Sequence, residues 1–350
     1  MCSRKKENGS VKENRETVNM QIIGQGVCRE KERNEGMEKP PLIIITGPTA
    51  VGKTELSIKL ARALGGEIIS ADSMQVYRHM DIGSAKVTKE EMDGVPHHLI
   101  DVLDPWEDFN VVIFQQMAKK ALDEIYARGA VPIIAGGTGF YIQALLYAVD
   151  FKENPQGSQI REELEALAEE KGADYLHQCL AEVDPESALA IHSHNVKRVI
   201  RALEYYRQTG QKISVHNQEE RQKKSPFSFA YYVIHSERSR LYARIDKRVD
   251  LMLEQGLVEE VRRLKEMGCH RGMVSMQGLG YKEILDYLDE KCTLEEAVYI
   301  LKRDTHHFAK RQLTWFKRER DVRWIALEDF GGDKEKVLEY MLTDWKKDKK

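Results

Sequence analysis

Paired cysteines, long apolar runs and a surplus of one charge are all missing from this chain of 350 residues. The five cysteines (Cys2, Cys28, Cys179, Cys269 and Cys292) are scattered and form no CxxC pair. They indicate neither a disulfide framework nor a zinc site, which fits a reducing cytoplasm. No apolar stretch approaches the roughly 18 residues that a spanning helix needs, so no membrane is expected among its partners. Formal net charge is only −3, so the whole-chain balance does not announce a polyanion partner, although local clusters can. No internal repeat is visible, and nothing demands more than a monomer.

What is present is ordinary soluble composition, 41% hydrophobic and 32% charged residues, in a length that suits about two domains. Residues 1–39 differ in kind, being polar, charged and aperiodic. They lack the apolar centre of a secretory signal, and their acidic residues argue against a transit peptide. A disordered extension is expected there, with Met37 as the native start.

From Leu42 onward, short β-rich runs alternate with helical patterns. Leu42–Thr46, Glu67–Ser70, His98–Asp101, Val131–Ala135, Phe229–His235 and Val322–Leu327 read as strands. Helices are expected over Lys53–Leu64, Val111–Arg128 and Leu294–Arg318, with a further long one whose apolar face carries Ile245, Val249, Met252, Leu253 and Leu257. Such alternation predicts an α/β fold, a parallel sheet covered on both faces. Between about Asp150 and Lys212 the strands disappear, and three helical segments ending at Gly172, Asp184 and Gly210 read as an all-helical insertion.

The sharpest local signal is GPTAVGKT, Gly47 to Thr54, between the first strand and the first helix. It fits the phosphate-cradling loop GxxxxGK(S/T). Backbone amides turn inward around an anion, Lys53 adds a full charge and the Thr54 hydroxyl is placed for Mg²⁺. Phosphate binding is well specified by this loop, but the identity of the phosphate is not. Asp72, in EIISADSMQVY, suits either a magnesium ligand or a cap on the turn that follows it. A second glycine turn, Gly136 to Tyr141 (GGTGFY), puts Thr138 at the C-terminal edge of the sheet, where ligands bind in such folds; a tight turn alone also accounts for it.

Two basic helical stretches stand out against the balanced total. Lys197, Arg198, Arg201 and Arg207 crowd one, with Val199, Ile200 and Leu203 on its apolar side. LKRDTHHFAKRQLTWFKRER holds seven Lys/Arg against two Asp/Glu, a local net of +5. His307, Arg311, Thr314 and Arg318 share one stripe there, opposite Leu301, Phe308 and Trp315. A single run of this kind is usually a solvated face. Two of them point to a polyanion surface, although no RRM or KH motif is present.

In chain order, GPTAVGKT, ISADSMQVYRHMDIGSAK, VPHHLIDVLDP, AGGTGFYIQALL, HNVKRVIRALE and KRQLTWFKRE together resemble the bacterial tRNA dimethylallyltransferase (tRNA isopentenyltransferase) family over about residues 40–330. That resemblance implies a P-loop NTPase-like parallel core with an all-helical insertion. The implied divisions are an extension at 1–39, a first core part at 40–150, a tRNA-binding insertion at 151–215 and a second core part at 216–350. It implies Mg²⁺-assisted transfer of a dimethylallyl group from its diphosphate to N6 of adenosine 37, next to the anticodon. Gly47, Pro48, Thr49, Ala50, Val51, Gly52, Lys53 and Thr54 would then hold the donor's diphosphate, with Thr54 on the metal. Asp72 would be the general base, Thr138 would line the reaction channel and Arg244 would bind diphosphate. Asp72, Ser73, Met74 and Gln75 match the segment that contacts the target nucleotide. Lys197, Arg198, Val199, Ile200 and Arg201 match the contact with the anticodon stem-loop. The zinc finger of eukaryotic relatives has no counterpart after Trp324. The rival readings are a small-molecule kinase or other P-loop NTPase, a transferase acting on free adenine nucleotide, and an RNA-binding protein with a vestigial site.

Overall fold

The computed structural model describes residues 39–151 and 159–348. The expected extension at 1–39 and start at Met37 fall, apart from Lys39, outside the described residues. Six strands form one parallel sheet: β1 (Pro41–Thr46), β2 (Gly66–Ser70), β3 (His97–His98), β4 (Val131–Gly136), β5 (Ser228–His235) and β6 (Val322–Ala326), in the order β3-β2-β4-β1-β5-β6. Because both faces of a parallel sheet are covered, its central strands can be apolar throughout. Ile43, Ile44 and Ile45 of β1 are each fully buried. Ile44 belongs to the core on one face of the sheet, and Ile43 and Ile45 to the core on the other.

The helices follow in chain order. α1 (Lys53–Leu64) leaves the phosphate loop, α2 (Lys89–Met92) is one turn, and α3 (Val111–Ala127) and α4 (Gly139–Leu146) flank β4. The insertion holds α5 (Gln159–Lys171), α6 (Ala173–Val183), α7 (Pro185–Ala190), α8 (Val196–Thr209) and α9 (Ile213–Gln222). These pack around their own core of Leu164, Leu176, Leu180, Val199, Ile200 and Leu203. After β5 come α10 (Arg238–Glu254), α11 (Leu257–Glu266), α12 (Tyr281–Leu288) and α13 (Leu294–Phe316), then β6 and α14 (Lys334–Asp348).

Three features differ from the sequence expectations. The run at His98–Asp101 pairs with β2 only through His97 and His98, because Leu99 (φ 64°) and Asp101 (φ 55°) turn into the left-handed region and leave the sheet. The long helix expected through Leu257 is two helices, broken at Gly256, whose φ of 98° no helix accommodates. Helical structure in the insertion runs through α9 to Gln222, past the expected limit at 215. Among the described residues, no helix is long and apolar enough to cross a membrane.

Candidate active site

The site lies at the C-terminal edge of β1, β2 and β4, where the chain reverses into helices. Gly47 makes this possible: its φ is 146°, and a Cβ there would stand 2.1 Å from the Ile234 carbonyl oxygen. Gly136 faces the same constraint, since a Cβ would fall 2.3 Å from the Ala71 carbonyl oxygen. The two glycine turns therefore lie tightly against β5 and against the strand end that leads to Asp72.

Gly52, the residue before α1, has φ 98° and offers no side-chain cap. The first N–H groups of α1 are consequently open to an anion, reinforced by the helix dipole. Lys53 folds back into its own loop, where its ammonium donates to the carbonyls of Gly47 (3.0 Å) and Pro48 (2.8 Å). Burial first, and the nearby Arg248 guanidinium second, push its pKa down to about 7, with Asp72 opposing. Burial likewise pulls Arg248 below its usual range, against the attraction of Asp72. Two cations thus crowd one cleft at an uncapped helix terminus, and Asp72 is the carboxylate whose charge acts on both. Such a cleft is built for a polyanion.

The polar residues Thr49, Lys53, Thr54, Asp72, Gln75 and Arg248 line the cleft together with the apolar Ile68, Val87, Ile100 and Phe308. Gln312 of α13, buried at 6% exposure, locks its rim. Its Oε1 accepts from the Thr49 N–H (2.9 Å) and its Nε2 donates to the Gly137 carbonyl (3.0 Å). One side chain from near the C-terminus thereby holds both glycine turns in register.

Asp72 is half-buried, and its Oδ1 accepts from the N–H groups of Met74 (2.9 Å) and Gln75 (3.4 Å). One carboxylate oxygen of Asp72 thus caps the turn that follows it. Ser73 and Met74 are half-buried beside it, with Met74 sulfur against Gly278. Thr138 is not among the residues lining the cleft; it stands next to it, its N–H donating to the Ala71 carbonyl at 3.2 Å. Arg244 is exposed and shares with Arg248 a shallower recess over Ala50, Gly52, Lys53 and Thr54. Arg248, one helical turn further along α10, is the arginine that reaches the deep cleft. Sequence reasoning missed Arg248, Phe308 and Gln312; only the i,i+4 spacing from Arg244 pointed to the first.

Lys197, Arg198 and Arg201 are exposed on α8, and Arg207, at its last turn, pairs with Glu163 at 3.5 Å. Val199 and Ile200 correct the expectation that this whole stretch touches RNA. They are 0% and 3% exposed inside the insertion core, and so hold the basic helix in place instead of meeting a ligand. His307, Arg311, Thr314 and Arg318 are exposed along α13, while Leu301 and Phe316 are buried and Phe308 faces the cleft.

Two family models match this chain, IPP transferase over residues 75–319 and isopentenyl transferase over residues 40–102. A tRNA dimethylallyltransferase of Lachnoclostridium phytofermentans is 61% identical over 293 residues, spanning 84% of this chain and 94% of that protein. The chain belongs to the IPP transferase family. A second family member, the tRNA dimethylallyltransferase of Acetivibrio thermocellus, is 51% identical over 304 residues, spanning 86% of this chain and 97% of that protein. Among solved structures, the tRNA isopentenylpyrophosphate transferase of Bacillus halodurans matches with a TM-score of 0.67 at 44% identity, covering 89% of this chain and 98% of its own. A eukaryotic dimethylallyltransferase described as acting on tRNA matches at a TM-score of 0.71 and 30% identity, covering 82% of this chain and 74% of that one. In this IPP transferase the phosphate loop, Asp72 and a few apolar residues line one cleft, and exposed cations stand on α8 and α13.

Proposed function

We propose that this chain transfers a dimethylallyl group from dimethylallyl diphosphate to N6 of adenosine 37 in tRNAs with an A36-A37-A38 anticodon loop, releasing diphosphate. The observation that carries this reading is the pair of partly buried cations, Lys53 and Arg248, at the uncapped start of α1 with Asp72 in the same cleft. The cations and loop amides receive the charge that develops as the allylic C1–O bond breaks, and preorganised donors of this kind lower the barrier. The apolar lining residues Ile68, Val87, Ile100 and Phe308 suit a five-carbon tail. As C1 bonds to N6, the N6 proton passes to Asp72, which acts as general base. Thr138, beside the Ala71–Asp72 strand end, borders the channel.

Mg²⁺ fits the oxygen donors present. Thr54 is exposed and lines the cleft, and its hydroxyl oxygen would be the ligand that the protein gives the metal. Among the described residues there is no group of three or more His, Cys, Asp or Glu to hold a metal, so the remaining ligands would be diphosphate oxygens and water. When bound, Mg²⁺ supplies charge neutralisation to the leaving group. The reading carries with it a cytoplasmic, monomeric enzyme that uses no zinc.

Incubation with dimethylallyl diphosphate, Mg²⁺ and an anticodon stem-loop tests it by mass. A gain of one C5H8 unit on the RNA is expected; no gain together with turnover of ATP would make this a P-loop NTPase instead. Transfer to free adenine nucleotide but not to RNA would assign it to the other prenylating class.

The exposed α8 cations give a second expected result. Converting Lys197 and Arg201 to alanine leaves two phosphates without a cation. The slope of log Kd against log salt should then flatten by about 0.7 for each such phosphate on a single strand, and up to about 0.9 on a duplex. Fluorescence anisotropy of the stem-loop across a salt series measures it. An unchanged slope would return α8 to an ordinary solvated face.

A further inference from the structure

The MDIGSAK segment, Met80 to Lys86, contributes Ser84 to the cleft lining and is held more tightly than a surface loop requires. Its anchor is Glu260 of α11, a carboxylate at 2% exposure. Glu260 Oε2 accepts from the N–H groups of Asp81 (2.9 Å) and Ile82 (2.8 Å). Oε1 accepts from the Gly83 N–H (3.1 Å) and the Tyr281 hydroxyl (2.8 Å). Tyr281, fully buried, accepts in turn from the Ser84 N–H at 3.1 Å. A Cβ at Gly83 would lie 2.6 Å from the Tyr281 ring, so the loop must run flush against it.

A buried carboxylate held by hydrogen-bond donors costs desolvation that simple apolar packing would avoid. What the loop does next accounts for it. The carbonyls of Ala85 (3.2 Å) and Ser84 (3.5 Å) receive the Gln75 Nε2 donors, and Ser70 Oγ donates to Gln75 Oε1 at 3.3 Å. Two carbonyl acceptors at one end of the amide fix which end is nitrogen. Gln75 and Ser70 both line the cleft, so the orientation of that amide is imposed on whatever base enters.

We propose that Glu260 is a positioning residue for the target nucleotide: through the loop at residues 81–85 it sets the place and direction of the Gln75 carboxamide. This rests on reading the cleft as a prenyl transfer site for RNA. Glu260→Gln keeps the shape but turns one acceptor into a donor facing an N–H. A displacement of about 1 Å at a reacting centre costs on the order of 10²-fold. Glu260→Gln should therefore lower kcat/KM for the stem-loop by about 10- to 100-fold, with KM for dimethylallyl diphosphate and Kd for inorganic diphosphate unchanged.

The deciding measurement is a double-mutant cycle. In a Gln75→Ala background, Glu260→Gln should cost less than about two-fold, because residues that act as a unit are not additive. Equal fold losses in both backgrounds, or a loss shared by the diphosphate site, would overturn the proposal. If Glu260→Gln does not fold by circular dichroism, Tyr281→Phe, which keeps the ring and removes the shared hydroxyl, takes its place in the same cycle with the same criterion. A wild-type protein unable to prenylate the stem-loop would overturn the functional reading itself; an active wild type with additive variants overturns only the role of Glu260.

Discussion

Replacing Lys53 by methionine should abolish prenyl transfer and at the same time make the protein more stable near neutral pH. The first half follows from the leaving group. Removing one preorganised donor from developing negative charge costs about 10²–10³ in kcat, and Lys53 carries a full charge at the phosphate loop. The second half follows from burial of the ammonium. The Lys53 pKa falls from 10.5 in the unfolded chain to about 7 in the fold, chiefly through burial and then through Arg248. Between those two pH values the unfolded chain binds more protons than the folded one, so this group's contribution makes stability rise with pH across that window. Below pH 7 the folded state carries the whole penalty of a buried cation. Lys53→Met should therefore melt a few degrees above wild type at pH 6.5, with the gain shrinking toward pH 10. Calorimetry of both proteins at the two pH values checks it; a pH-independent difference would contradict the buried-cation argument. Binding gives the same sign a second way. An anion favours charged Lys53, so binding of diphosphate should draw a proton onto Lys53 near neutral pH. Titration calorimetry in buffers of different ionisation enthalpy reads the net uptake, and the difference between wild type and Lys53→Met isolates the part that belongs to Lys53.

The phosphate loop and Asp72 were legible because each is a local pattern: glycines at fixed spacing, or an acid just past a strand. The sheet was legible for a similar reason. A short, isoleucine-rich run such as Leu42–Ile45, bounded by Pro41 and Gly47, fits a strand covered on both faces better than a buried helix. β3 was overestimated because nothing in HLID announces positive φ at Leu99 and Asp101, neither of them glycine. The residues that complete the site were hidden by distance along the chain. Gln312 meets Thr49 across 263 residues, and Glu260 meets Asp81 across 179. No periodicity encodes such pairings. Arg244 and Arg248 lie one turn apart on α10, and the choice between them depends on which reaches the deep cleft, a matter of packing. Val199 and Ile200 show the opposite case. Helical spacing already put them on the apolar side of α8, and their burial follows that spacing where the family motif, taken as a block, had placed them on the RNA.

Asp72 is where the two candidate roles can be separated by a single atom. Its Oδ1 holds the turn by accepting from Met74 and Gln75, and the proposed base role falls to the other oxygen. Alanine would remove both functions, and a loss of activity would then say little about chemistry. Asparagine keeps an acceptor for the turn and replaces the second oxygen with an amide that takes no proton. Asp72→Asn is therefore expected to fold with an unchanged melting temperature and to bind the anticodon stem-loop as wild type does, while kcat falls by about 10²–10⁴, the usual worth of a positioned general base. Asp72→Ala should match that loss in kcat and, in addition, weaken stem-loop binding, because Met74 and Gln75 lose the bond that sets their turn. Single-turnover kinetics with the stem-loop separates chemistry from binding and product release. If Asp72→Asn kept more than about a tenth of wild-type kcat, it would leave Asp72 as a turn cap, and the N6 proton would have to leave by way of water.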